Sequence, residues 1–398
     1  MRLRMRPLIW KVISSLGELN EHHDQATENP MKTNTSLFRS IAAAGALIFG
    51  VATQSSFAQT TDPVGFTTLS IAGTGGTQAS AVSFLGLSMA RPTAFRAVAE
   101  TVSGTTLTCS AATWTDNQYA STPAPGYYLE VFSGAKAGLM SQIVSCNAAA
   151  KTLTVADNLQ NLGVETTNVT FKVRPNWSIG TVFGATNNVA VDATSGQATG
   201  LVSGATASRA DLVLLYNENT LGYDQYFYST GTNSWQQVGG DGSEQATAPI
   251  HIHEGVLIKR KGATNLTVSL NGEVKLGQTI VPITSAGAAA GFNFRSNVYP
   301  SGSLTLGNSG LYAGDLTGAT RVLPGATASR ADGVSIWNTA ANGYDQYFFS
   351  TGTSTWQLVG GDGSDQAGVP IASGKSIIVK RKSGSFTWVI PQPFTIQP

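Results

Sequence analysis

The chain has 398 residues, of which only 12% are charged and 44 are glycine, with a formal net charge of +1. That length holds two or three domains. The composition, poor in Lys, Glu and Leu but rich in Gly, Thr, Ser and Asn, suits short strands and tight turns better than helices. Near-neutrality argues against a nucleic-acid partner, which demands a basic surface to release counterions.

In chain order, Met31 opens a segment with the pattern of a secretory signal. Lys32 and Arg39 precede an apolar run from Ile41 to Val51, and Ser56 and Ala58 supply small residues for cleavage after Ala58. The run is too short to span a bilayer and no later segment is long enough, so no membrane span is expected after cleavage. Residues 31–58 are read as the signal peptide and 1–30 as a mis-called upstream extension, with a signal-anchor as the weaker alternative. Export would place the protein in the periplasm, on the cell surface or outside the cell. Removing 1–58 leaves 18 basic and 19 acidic residues, a net charge of −1.

Residues 59–175 are expected to form an N-terminal β domain, a small barrel or sandwich. Strand candidates lie at 66–71, 105–109, 127–132, 140–144, 152–155 and 169–173, several with polar and apolar residues alternating after a turn. Cys109 and Cys146 each sit beside such a run. In an oxidising compartment they are expected to pair as a stabilising disulfide, the alternative being two unrelated buried thiols.

The rest of the chain is one module written twice. Residues 204–261 align without a gap to 325–382 at an offset of 121, with 35 identities in 58 positions. A fainter echo links 171–184 to 292–307, giving modules of 176–290 and 291–398. Each reads as a β-meander: an apolar strand at 213–216, an aromatic one at 223–228, a return at 235–238, then 256–261 and, in the first copy, 266–270. The fold class is therefore all-β, a unique N-terminal domain followed by two tandem modules.

DPVGF at 62–66, GYYLEVFSGAKAG at 126–138, RPNWSIGTVFG at 174–184 and the repeated ADxV…YxxYFY…W pattern carry a resemblance. With them the mature chain resembles a family of secreted proteins from verrucomicrobial genomes. The family has no assigned function, so the resemblance implies export and this domain division, and no catalytic residue.

Duplication also filters the candidate sites. His251 and His253 share a strand face, which suits a metal pair, but their copies are Ala372 and Gly374, so an exposed strand end is the preferred reading and no metal site is expected. Asp211, Asp224 and Asp241 recur as Asp332, Asp345 and Asp362, and Glu244 as Asp365. Turn and cap roles rank first for them, calcium second and glycosidic acid–base chemistry third. Lys259, Arg260 and Lys261, copied as 380–382, read as a solvated rim or edge protection.

The copied aromatics are Tyr223, Tyr226, Phe227, Tyr228 and Trp235, matched by Tyr344, Tyr347, Phe348, Phe349 and Trp356. One face of that strand is expected to fill the core. The other offers a platform for sugar rings, which makes Tyr223, Tyr226, Tyr228, Trp235, Tyr344, Tyr347 and Trp356 the candidate ligand-binding residues. No phosphate loop, zinc-protease helix motif, nucleophile elbow or CxxC pair is present. No catalytic residue or cofactor is expected. The sequence points to an exported, non-enzymatic structural or adhesive protein of the envelope or exterior, with glycans or envelope components as partners. Carbohydrate binding through the repeated aromatic faces is the alternative, and an extracellular polysaccharide hydrolase ranks below both.

Overall fold

The computed structural model describes residues 62–285 and 291–395. The signal-peptide and upstream-extension segments lie outside the described residues.

Two strands come first, β1 (Val64–Ile71) and β2 (Ala81–Gly86), then β3 (Phe95–Ser103), β4 (Thr106–Thr108), β5 (Tyr127–Val131), β6 (Met140–Asn147), β7 (Thr152–Val155) and β8 (Thr167–Pro175). After β9 (Trp177–Ser178), a five-residue helix α1 (Ile179–Phe183) and β10 (Val191–Asp192) lead into the first meander. It comprises β11 (Leu212–Asn217), β12 (Gly222–Ser229), β13 (Ser234–Gln237), β14 (Pro249–Ile250), β15 (Gly255–Arg260) and β16 (Leu266–Glu273). The second is β17 (Thr279–Ile283), β18 (Gly291–Ser296), β19 (Gly333–Asn338), β20 (Gly343–Ser350), β21 (Thr355–Leu358), β22 (Ser376–Arg381) and β23 (Phe386–Ile390). The protein is all-β in its described part, as its composition suggests. No described helix is long and apolar enough to cross a membrane.

Strands β3 to β8 close into a six-stranded barrel in the order β3-β4-β7-β6-β5-β8. Alternation places Leu107, Leu129, Val131, Ile143, Leu153, Val169 and Phe171 inside, where all are fully buried. The barrel enters and leaves at one point, because Phe95 at the start of β3 lies opposite Val173 near the end of β8.

The region expected to be a single N-terminal domain divides. β1 and β2 do not join the barrel; β2 pairs along β15 and β1 along β16, in the first module. The second module repeats this with its own strands, β18 along β22 and β17 along β23. The registers correspond: Phe84 faces Leu257 as Phe294 faces Ile378, and Leu69 faces Val268 as Val281 faces Trp388. The first module is thus discontinuous, with β1 and β2 separated from its remainder by the barrel. Each module holds a five-stranded sheet, β13-β12-β11-β15-β2 and its copy β21-β20-β19-β22-β18.

The modules meet about a pseudo-two-fold axis. Gly86 N–H donates to Gly374 O and Ser296 N–H to His253 O, both at 3.0 Å, and these four residues are equivalent in pairs. Backbones approach closely here: a methyl on Gly86 would lie 2.3 Å from Lys375 O, and one on Gly255 would lie 2.8 Å from Ser376 Cβ. Only a residue without a side chain fits at either position.

Candidate functional site

The copied aromatics do not form one exposed face. Trp235 and Trp356 are buried in the module cores, as are Tyr226 and Tyr347. Trp235 Nε1 donates to Gly184 O at 2.8 Å, so its one polar group is also satisfied internally. Tyr228 stands edge-on to Trp235 and its hydroxyl donates to Asn233 O, closing its own hairpin. This corrects the expectation of a Trp-based sugar platform. A two-residue strand period sends alternate aromatics, Tyr226 and Tyr228 with Trp235 opposite, into the module core.

Tyr223 and Tyr344 go elsewhere, into the seam between modules. Phe84 of β2 and its equivalent Phe294 of β18 stack at 6.2 Å with 14° between their planes. Each also packs on an aromatic pair of the opposite module: Phe84 on Trp337 and Tyr344 at 5.5 and 5.1 Å, Phe294 on Tyr216 and Tyr223 at 4.5 and 5.4 Å. Burial, then neighbouring Tyr216, pushes the Tyr223 hydroxyl up to about 12. The seam keeps an exposed margin. Tyr344 retains 37% of its surface, and Trp337 Nε1 is enclosed without a hydrogen-bond partner. Phe84 and Phe294 were missing from the sequence candidates because β2 and β18 lie outside the gap-free repeat.

The copied carboxylates have structural partners. Asp211 accepts from Val202 N and Lys261 N and pairs with Arg260; Asp332 accepts from Leu323 N and Lys382 N and pairs with Arg381 at 2.6 Å. The central residue of each Lys-Arg-Lys run is therefore buried and ion-paired, and the run belongs to an inner strand and not to a solvated edge. Asp224 and Asp345 accept from Asn217 and Asn338, while Asp241 and Asp362 cap Ser243 N and Ser364 N. Among the described residues no three His, Cys, Asp or Glu side chains converge as a metal site would require.

His251 and His253 stack at 6.1 Å between the barrel and the seam. His251 Nδ1 lies 3.0 Å from Gln142 Nε2 and 3.2 Å from Asn176 Oδ1. Burial, then Arg295, then His251 hold His253 well below the usual imidazole range.

The two cysteines are free and buried, which corrects the expected disulfide. Cys109 N–H bonds to Lys151 O beside β7 while Cys146 lies opposite Leu153 of β7, so β7 separates them. Two strand spacings amount to about 9.5 Å, beyond the reach of a disulfide. Burial, then the charge of Glu100, pushes the Cys109 thiol up.

Where the barrel meets the first module, six charged residues form a buried network. Arg174 binds Asp62, Glu130 and Glu273, Lys172 binds Asp62, and Lys275 binds Glu130 at 2.7 Å. Burial opposes ionisation of Asp62 and Glu130, but Lys172 and Arg174 outweigh it at Asp62, and Lys275 and Arg174 at Glu130, so both carboxyls stay below the ordinary range. Three acids and three bases balance, which is the condition for burying them.

An open cleft of about 490 Å³ lies elsewhere, between a barrel loop, the β17–β23 ribbon and the loop before Val322. Lys136, Gln278, Thr320, Arg321, Ser385 and Thr387 contribute its polar walls. None is among the sequence candidates, since all lie outside the gap-free repeat and the contributing segments lie far apart in the chain.

No family model, curated protein or solved structure shows significant similarity to the chain.

Proposed function

We propose that the chain is an exported, non-catalytic structural or adhesive protein of the cell envelope or extracellular space. The observation that carries this reading is the fate of the duplicated polar and aromatic residues. The copied Asp211 and Asp332 hold strands, Asp241 and Asp362 hold turns, and the copied aromatics fill cores or the seam. A retained catalytic carboxylate would instead stand in a cleft with free acceptor capacity. The signal-like segment and the resemblance to secreted verrucomicrobial proteins support export.

Protease shaving of intact cells, with fractionation and N-terminal sequencing, tests the location. Cleavage of the chain on unbroken cells and a mature start near Gln59 are expected; confinement to the cytosol sinks the reading. A panel of polysaccharide, peptide and ester substrates tests the chemistry. Turnover abolished by a single carboxylate substitution would show an enzyme.

Glycan binding remains the second reading, favoured by the half-exposed Tyr344 beside the unpartnered indole of Trp337. A glycan array decides it: binding lost in a Trp337→Ala/Tyr344→Ala variant supports the seam margin as the site, and no binding removes it.

A further inference from the structure

The modules differ in one place that bears on the cleft. In the first, β10 adds to β16 as a third strand, with Val191 opposite Thr267, Asp192 opposite Leu266, and Ala193 N–H donating to Asn265 O. In the second, among the described residues, β17 and β23 stand as a two-stranded ribbon. The reason is loop length. Gly180 and Gly307 bond equivalent alanines, 246 and 367, and Val202 and Leu323 bond equivalent aspartates. Between these fixed points the second module has six fewer residues, too few to lay down the extra strand.

The β23 edge left open has backbone groups aimed outward. Ser285 N–H bonds to Gly384 O and Ile283 lies opposite Phe386, so Gly384, Phe386 and Trp388 direct their backbone groups to β17. By antiparallel alternation Ser385 and Thr387 direct theirs to the other side. Both residues line the cleft.

The cleft is also cationic. Lys136 and Arg321 line it, no Asp or Glu does, and neither cation has a carboxylate within ion-pair distance among the described residues. Arg321 Nη1 reaches only Thr320 O, and its Nε is enclosed without a partner. The nearby acids are engaged: Glu165 accepts from Ala135 N, and Asp315 accepts from Thr317 and from Thr320 N.

We propose that this cleft docks an extended, carboxylate-bearing segment of a partner protein, which adds to β23 as a third strand opposite Ser385 and Thr387. Main-chain bonds to the edge supply affinity, and acidic side chains on Arg321 and Lys136 supply selectivity. The first module carries the template, since its own third strand holds Asp192. The inference rests on the cleft and stands apart from the reading of export.

The test uses fluorescence anisotropy on the mature chain. Two probes serve: a labelled peptide with the sequence of residues 188–196, and a pool of random nonapeptides each carrying two aspartates. Saturable binding is expected, weakened about tenfold by Arg321→Ala, less by Lys136→Ala, and abolished when alternate peptide amides are N-methylated. Thermal unfolding establishes that both variants remain folded. Absence of saturable binding with both probes overturns the proposal, as does binding indifferent to both substitutions. Displacement by galacturonate, with N-methylation harmless, overturns it in favour of a small-anion site.

Discussion

The seam between the modules and the seam between barrel and first module solve the same problem with opposite chemistry. At the first, Phe84 and Phe294 interlock with four further aromatics, and the chains close up on Lys375 at Gly86 and on the Ser376 side chain at Gly255. At the second, Arg174 and five other charged side chains are sealed from water. The symmetric seam joins two copies of one surface, where a charge at the axis would confront its like and apolar rings avoid that cost. Arg295 still pairs with Glu218 across the modules at 2.8 Å, with Leu85 and Thr339 at the equivalent positions. The barrel seam joins unlike surfaces, so opposite charges can meet across it: Lys172 and Arg174 of the barrel bind Asp62 and Glu273 of the module, and Lys275 of the module binds Glu130 of the barrel. Stacking fills the self-complementary centre, and ion pairs form where the two sides differ.

Breaking the charged seam has the largest expected effect. Arg174→Met leaves Glu130, Glu273 and Asp62 short of their main cation, and about 3–5 kcal/mol of stability should be lost in urea unfolding. A loss under 1 kcal/mol would mean that water reaches the network. The aromatic seam comes next. Phe84→Ala and Phe294→Ala should each cost about 3 kcal/mol, and the double variant should cost less than their sum because the rings touch. Strict additivity would show that the modules do not share that contact.

Acid sharpens the comparison, because His253 borders the aromatic seam next to Arg295. Its folded pKa lies below the unfolded value near 6.5, so the unfolded chain binds the extra proton. Stability is therefore full above pH 6.5 and falls as the pH drops towards the folded value, by at most about 1.4 kcal/mol per unit. Asp62 and Glu130 at the charged seam behave likewise only from about pH 4 downward, since their folded values lie below ordinary carboxylates. Thermal melts from pH 7.5 to 5 should thus weaken the wild type more than His253→Ala, and equal slopes would remove His253 from the account. The smallest effect concerns the cysteines. Thiol labelling after denaturation without reductant should find Cys109 and Cys146 free, and reductant should move the melting temperature by less than about 1 °C. A protected pair would restore the disulfide.

Much of this was legible in the residues. Alternation and turn chemistry located most of the barrel strands, and the repeat located the meanders. Pairing of Asp211 with Arg260 was also written there, since the copy keeps both residues at the same separation in Asp332 and Arg381. What escaped was long-range. β2 shows little identity to β18, and the barrel separates it from its own module, so no local pattern revealed where Phe84 belongs. The disulfide expectation failed for the same reason: two strands can each look ready to pair while a third lies between them. The cleft drew one wall from each of three segments that share no motif.

The barrel's position inside the first module has a consequence for the order in which the chain acquires structure. β1 and β2 are made early but find their partners only when residues 255–273 arrive, so they stay unpaired while the contiguous barrel can already close. Long-range pairing of this kind is slow and leaves strand edges exposed. An assembly line in which the middle piece sets before the first piece can be fastened needs something to keep that first piece from sticking elsewhere.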